Sequence, residues 1–206
     1  MDTPFVERGD ANTLRESGVV GVVLAGGRSR RMGRDKAALP IGGGSLASHA
    51  VTRLARICSE VALADAGRGL LPGVPSLADG PGRGPAAGIL GAARFWPGRP
   101  LLVLACDLPA VPEGLLADLA RSLDADWVVP RWQGGLEPLC AFYGPVALAA
   151  LERRVAQGLF ALHDLTLETG LTVRYLEAER LAAHGRPEEA FRNLNTPEDL
   201  ERWEKG

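Results

Sequence analysis

This 206-residue chain is short of the residues from which proteins build metal cages and covalent cross-links. It has three cysteines, Cys58, Cys106 and Cys140, with no Cys-x-x-Cys pair, and three scattered histidines, His49, His163 and His184. An odd, widely spaced set of thiols argues against a disulfide framework or a structural zinc, and for a reducing cytoplasm. No apolar run approaches the ~20 residues of a membrane span, and the first residues hold no signal-peptide core. With a formal net charge of −2, the chain lacks the broad basic surface of a nucleic-acid binder. Internal repeats and low-complexity tracts are missing as well. What is present, 46% hydrophobic and 23% charged residues, suffices for one domain with a sizeable core.

The most informative stretch runs from Val19 to Lys36. Val19-Val20-Gly21-Val22-Val23-Leu24 has no polar alternation and reads as a strand buried on both faces. It enters a loop in which Gly26 and Gly27 allow a sharp turn and bring bare N–H groups close to a ligand. Arg28, Arg30, Arg31, Arg34 and Lys36 concentrate positive charge there, as a nucleoside triphosphate requires. The spacing matches neither Gly-x-x-x-x-Gly-Lys-Ser/Thr nor Gly-x-Gly-x-x-Gly, so neither of those phosphate-binding loops applies.

Beyond the loop, strands and helices alternate. Helices are expected over 46–58, capped by Ser45, and over 86–95, 113–122 and 147–157. Strands are expected over 61–64, 101–105, 127–129, 139–143 and 171–176, with a long Gly/Pro-rich functional loop over 67–88. This order predicts a single α/β domain, a three-layer Rossmann-like fold with a mainly parallel sheet and helices on both faces. It spans 18–206 behind a loose, polar lead-in over 1–17. Ligands of such sheets bind outside the carboxyl ends of the strands. Asp107 lies there, directly behind the apolar strand Leu101-Leu102-Val103-Leu104-Ala105, and a carboxylate so placed can hold Mg²⁺ together with phosphate oxygens. Cys106 beside it suits small buried packing better than nucleophilic chemistry.

Leu-Ala-Gly-Gly-x-Ser-x-Arg-Met-Gly-x-Asp-Lys, starting at Leu24, resembles the signature loop of the molybdenum cofactor guanylyltransferases, nucleotidyltransferases with a Rossmann-like fold. The resemblance continues over about 19–203. Cys106-Asp107-Leu108-Pro109 is similar to the family's Cys-Asp-x-Pro, whose Asp binds magnesium. Asp79 with Gly84-Pro85-Ala86-Ala87-Gly88 is similar to a segment whose Asp contacts the nucleotide. Pro138-Leu139-Cys140-Ala141-Phe142-Tyr143 and Asn193-Leu194-Asn195-Thr196-Pro197-Glu198-Asp199-Leu200 resemble two further family segments. Thr196, Pro197 and the two acids also make an ordinary helix start. Two departures stand out. The family places an Asn that touches the nucleotide where this chain has Asp65, and 158–162 lacks the polar side chains often found there.

The resemblance implies that a terminal phosphate of molybdopterin attacks the α-phosphorus of Mg-GTP and pyrophosphate leaves. Lys36 and Asp107 are the expected catalytic residues, with Asp107 on Mg²⁺. Leu24, Ala25, Gly26, Gly27, Arg28, Lys36, Asp65, Asp79 and Asp107 are expected at the nucleotide, and Asn193 and Asn195 at the acceptor. A monomer is expected, with molybdoenzymes or their chaperones as partners and neither nucleic acid nor membrane. A cytidylyltransferase of the same cofactor stays open as an alternative, although its loop reads Leu-Ala-Ala-Gly. So do a sugar-phosphate nucleotidyltransferase and a non-catalytic nucleotide-binding regulator.

Overall fold

The computed structural model describes residues 18–26, 36–194 and 199. Its main sheet follows the order β10-β7-β9-β6-β1-β4-β5, with β8 paired to β7. The strands are β1 (Val20–Leu24), β4 (Val61–Ala64), β5 (Ser76–Leu77), β6 (Leu101–Ala105), β7 (Trp127–Trp132), β8 (Gly135–Leu136), β9 (Cys140–Tyr143) and β10 (Val173–Leu176). A separate two-stranded ribbon joins β2 (Pro40–Ile41) to β3 (Gly44–Ser45). β1 pairs in parallel with β4 and with β6, β4 with β5, and β7 with β10. β9 runs antiparallel between β6 and β7. The sheet is thus mainly parallel, with β9 reversed inside it and the short β8 also antiparallel to β7.

Side chains alternate across this sheet and divide the core in two. Val20, Val22, Leu24, Leu101, Val103, Trp127 and Tyr143 face one side, packed with residues of α2 (Pro85–Phe95) and α4 (Pro145–Ala156). Val23, Leu102, Leu104, Val128 and Phe142 face the other, with α1 (Leu46–Ala55) and α3 (Glu113–Arg121). The short helices α5 (Ala178–Ala182) and α6 (Pro187–Ala190) close this second layer through Leu181 and Ala190. Helices therefore cover both faces, as the unalternating apolar strands require. A Cβ on Gly21 would stand 3.1 Å from Leu54 Cβ and from Val61 Cγ2, so the glycine lets α1 lie close against β1. Ser45 and Ser48 form a reciprocal capping box at the start of α1.

The expected helices and strands are present with ends shifted by a few residues. The expected long loop over 67–88 contains the edge strand β5, and α2 begins at Pro85 within it. The ribbon β2–β3 was not expected; its two central residues, Gly42 and Gly43, both have positive φ. The lead-in over 1–17 lies outside the described residues, as do Thr196, Pro197, Glu198 and Leu200 of the helix expected near the end of the chain. Among the described residues, no helix is long and apolar enough to cross a membrane.

Candidate active site

β7, β6, β1, β4 and β5 point the same way, so their carboxyl ends share one edge of the sheet. The sequence motifs gather at this edge. Asp107 lies two residues beyond β6, in a turn held from several directions. The Cys106 N–H donates to Leu24 O at 3.1 Å, which ties the turn to the end of β1. The buried Arg53 of α1 donates from Nη1 to Pro109 O at 2.6 Å. His49, one helical turn earlier, also bonds the Pro109 backbone; burial and then the Arg53 charge hold its pKa below the ordinary imidazole value. The helix α1 thereby fixes the segment that presents Asp107.

Lys36 opens a 3₁₀ turn, Lys36–Ala38, that leads into the β2–β3 ribbon. Its Nζ donates to Asp107 Oδ2 at 2.6 Å, with side-chain exposures of 20% and 19%. Two residues 71 apart in sequence are thus brought into direct contact, still open to a ligand. The Leu194 N–H donates to Asp107 O at 2.9 Å and places the neighbouring Asn193, exposed, beside the same turn. Leu24 and Ala25 lie at the end of β1, where the Ala25 N–H donates to Ala64 O at 3.1 Å, and Gly26 is exposed beyond them. Gly27, Arg28, the other loop arginines and Asn195 fall outside the described residues.

Asp79 is exposed behind β5, on the opposite side of β1 from Asp107. Its backbone is clamped to α2: the Gly80 N–H donates to Ala87 O at 2.8 Å, and a Cβ on Gly91 would meet Ala78 O at 2.2 Å. Only glycine at 91 permits this approach. The first turn of α2, with Pro85 at its start, lies at the same edge and turns its positive dipole end to it.

Asp65 is fully buried at 0% exposure. Its carboxylate accepts from the Leu70 N–H at 2.9 Å and from Ser76 Oγ at 2.5 Å. Burial raises its pKa, but these bonds and Arg68 outweigh that and hold it below the usual carboxylate range. Its side chain is therefore spent on shaping the 65–76 turn, a role that sequence reasoning, with a nucleotide contact in view, did not assign. Sequence reasoning also passed over two other polar groups at this edge, Arg68 and Glu137. Arg68 stands between two glycines of the long loop and Glu137 directly before Pro138, and neither residue type marks a ligand contact there by itself. Glu137 precedes β9 beside the ends of β6 and β7, and burial pushes its carboxyl pKa up. In the segment 158–162, the Phe160 ring takes the Arg83 guanidinium over its face at 4.5 Å, packing the loop behind Asp79.

Among the described residues, no group of three or more His, Cys, Asp or Glu side chains could hold a metal ion. A cation at Asp107 would have one protein carboxylate among the described residues and would take its remaining oxygens from ligand phosphates and water. That donor set suits Mg²⁺, and gives nothing to metals that seek nitrogen or sulfur. Cys58, Cys106 and Cys140 are all buried, which fits Cys106 as packing.

Comparison with known proteins agrees with this arrangement. Over 209 aligned residues the chain is 35% identical to a molybdenum cofactor guanylyltransferase of Rhizobium johnstonii, covering 93% of this chain and 95% of that one. Its fold superposes on molybdopterin-guanine dinucleotide biosynthesis protein A of Archaeoglobus fulgidus with a TM-score of 0.75 at 27% identity, covering 90% of this chain and 97% of that one. A more distant fold neighbour, Rv0371C of Mycobacterium tuberculosis, was solved in complex with manganese; it has a TM-score of 0.61 at 21% identity and covers 90% and 97%. The MobA-like NTP transferase domain matches residues 21–169, and the chain belongs to that family of nucleotidyltransferases.

Proposed function

We propose that this protein transfers GMP from Mg-GTP to the terminal phosphate of molybdopterin, forming the guanine dinucleotide cofactor and releasing pyrophosphate. The observation that carries the reading is the Lys36–Asp107 pair, held at the edge where β1 ends in Leu24-Ala25-Gly26. The guanylyltransferase name of the Rhizobium johnstonii relative supports the choice of base and acceptor.

A phosphate monoester is already anionic, so attack on the α-phosphorus needs no protein nucleophile, and the catalytic task is alignment and charge stabilisation. Lys36 supplies a point charge to the triphosphate, and Asp107 is the residue that would hold Mg²⁺. When bound, the ion neutralises charge on phosphate oxygens. The backbone of Leu24, Ala25, Gly26 and Gly27, with Arg28 and Asp79, binds the nucleotide, while Asp65 acts through the shape of its turn. Asn193 and Asn195 contact the acceptor, whose half of the crevice lies beyond β6, where Glu137 also stands. An odd, widely spaced set of three buried cysteines suits a cytoplasmic setting.

Pyrophosphate release with Mg-GTP, Mg-CTP and Mg-ATP, each with and without molybdopterin, tests this reading. Release is expected with GTP alone, and only when molybdopterin is present. Release with CTP would keep the chemistry and overturn the guanine assignment. Silence with all three, alongside tight GTP binding, would leave a nucleotide-binding regulator.

A further inference from the structure

The turn after β4 folds one arginine back across the strand ends. Asp65 anchors this turn through Leu70 and Ser76, the Gly67 N–H donates to Leu77 O at 2.9 Å, and the Gly69 N–H donates to Ser76 Oγ at 3.0 Å. Ala66 takes a positive φ of 60° to complete it, a conformation that costs a residue with a Cβ and persists only where its surroundings impose it. So held, Arg68 donates from Nε to Asp65 O at 2.7 Å and from Nη2 to Ala25 O at 2.6 Å. The second bond reaches from the β4 turn into the glycine loop, 43 residues earlier in the chain.

The Ala25–Gly26 peptide is planar and trans, so its C=O and N–H point in opposite directions within one plane. Fixing the Ala25 carbonyl therefore fixes the direction of the Gly26 N–H. The Ala25 N–H is already held by Ala64 O, which leaves the loop little freedom to rotate. Gly26 is exposed, and no acceptor among the described residues takes its N–H. A cationic donor on Ala25 O also polarises the peptide and strengthens that N–H as a donor. We propose that Arg68 is a positioning residue for the nucleotide: by gripping Ala25 O it aims the Gly26 N–H at a phosphate oxygen of the bound triphosphate. This rests on the nucleotidyl-transfer reading above. The planar fork of arginine spans the two carbonyls, whereas a lysine ammonium can replace it only in part.

The test is steady-state pyrophosphate release by Arg68→Ala and Arg68→Lys with Mg-GTP and saturating molybdopterin, together with inhibition by inorganic tripolyphosphate. Loss of one charge-assisted contact predicts a KM for GTP raised roughly tenfold in Arg68→Ala, with kcat within about twofold of the parent. The tripolyphosphate Ki should rise in parallel, because the contact is to phosphate and not to the base. Arg68→Lys should recover part of both, and it carries the test if the alanine variant does not fold. An unchanged KM and Ki in a folded variant, or a kcat loss at constant KM, overturns the proposal while nucleotidyl transfer stands. If the parent itself turned over no GTP, that reading would fail alone, and equilibrium titration with tripolyphosphate would still decide: weaker binding by Arg68→Ala supports the role, equal binding overturns it.

Discussion

Asp107 is held through its side chain and its backbone at once. Its carboxylate meets Lys36, and its carbonyl accepts the Leu194 N–H, which draws the end of the described chain against the site. The two bonds have different consequences for substitution. Asp107→Ala leaves the backbone bond intact and removes only a partly exposed ion pair, worth at most about 1 kcal/mol. For a domain of this size that shifts Tm by no more than about 4 °C. Turnover should fall by roughly 100-fold or more, because the group expected to hold the cation at the triphosphate is gone. Thermal unfolding and pyrophosphate release on the same preparation check this, and near-normal turnover in the variant would remove Asp107 from the chemistry. Asp107 and Lys36 were legible in the sequence because each follows a distinctive local pattern, an apolar strand for one and a glycine-rich basic loop for the other. Asp65 was expected at the nucleotide, and the fold shows its carboxylate buried and bonded within its own turn. Its partners Leu70 and Ser76 lie in the Gly/Pro-rich loop with no pattern that ties them to it, and only the fold shows that they bond its carboxylate.

The elements show the same division. The buried strands β1, β4 and β6 were plain from their unbroken apolar runs, since burial on both faces removes polar alternation. The direction of β9 was not, because Cys140-Ala141-Phe142-Tyr143 has the same apolar character whichever way it runs between β6 and β7. The two-residue strand β5 is too short to carry a period and exists through its pairing with β4. The helix α2 has a constraint that composition hides. Replacing a mid-helix glycine by alanine ordinarily adds about 0.5–1 kcal/mol of stability. At Gly91 the added Cβ would stand 2.2 Å from Ala78 O and 3.0 Å from Gly80 N, both of them backbone atoms. The clash wins, and Gly91→Ala should destabilise the fold by about 1–3 kcal/mol. Because Asp79 lies between Ala78 and Gly80, the same substitution should also raise the KM for nucleotide. Denaturant unfolding and a KM measurement test both effects; a more stable variant with parental KM would show that the loop does not depend on this contact.

Across the whole molecule, the proposed reaction assigns its two substrates to either side of one edge of the sheet. β1, β4 and β5, with the turn of Asp65 and the loop of Asp79, build the side assigned to the nucleotide. β6, β9 and β7, with Glu137, build the side left for the acceptor, and Lys36 and Asp107 stand between the two. Alternation of strands and helices made the three-layer architecture readable, and the glycine loop made the nucleotide side readable. On the acceptor side, Asn193 was expected from its Asn-x-Asn segment, whereas Glu137 carried no sign in the sequence of its place beside the ends of β6 and β7, which the fold alone gives. The central claim is transfer of the α-phosphoryl group together with its nucleoside. It is tested most directly by following GTP labelled at the α-phosphorus in the presence of molybdopterin and Mg²⁺. The account predicts label in a single product that contains both guanosine and the pterin, formed in step with pyrophosphate. Label recovered as free GMP, or remaining in GTP while molybdopterin is consumed, would contradict it.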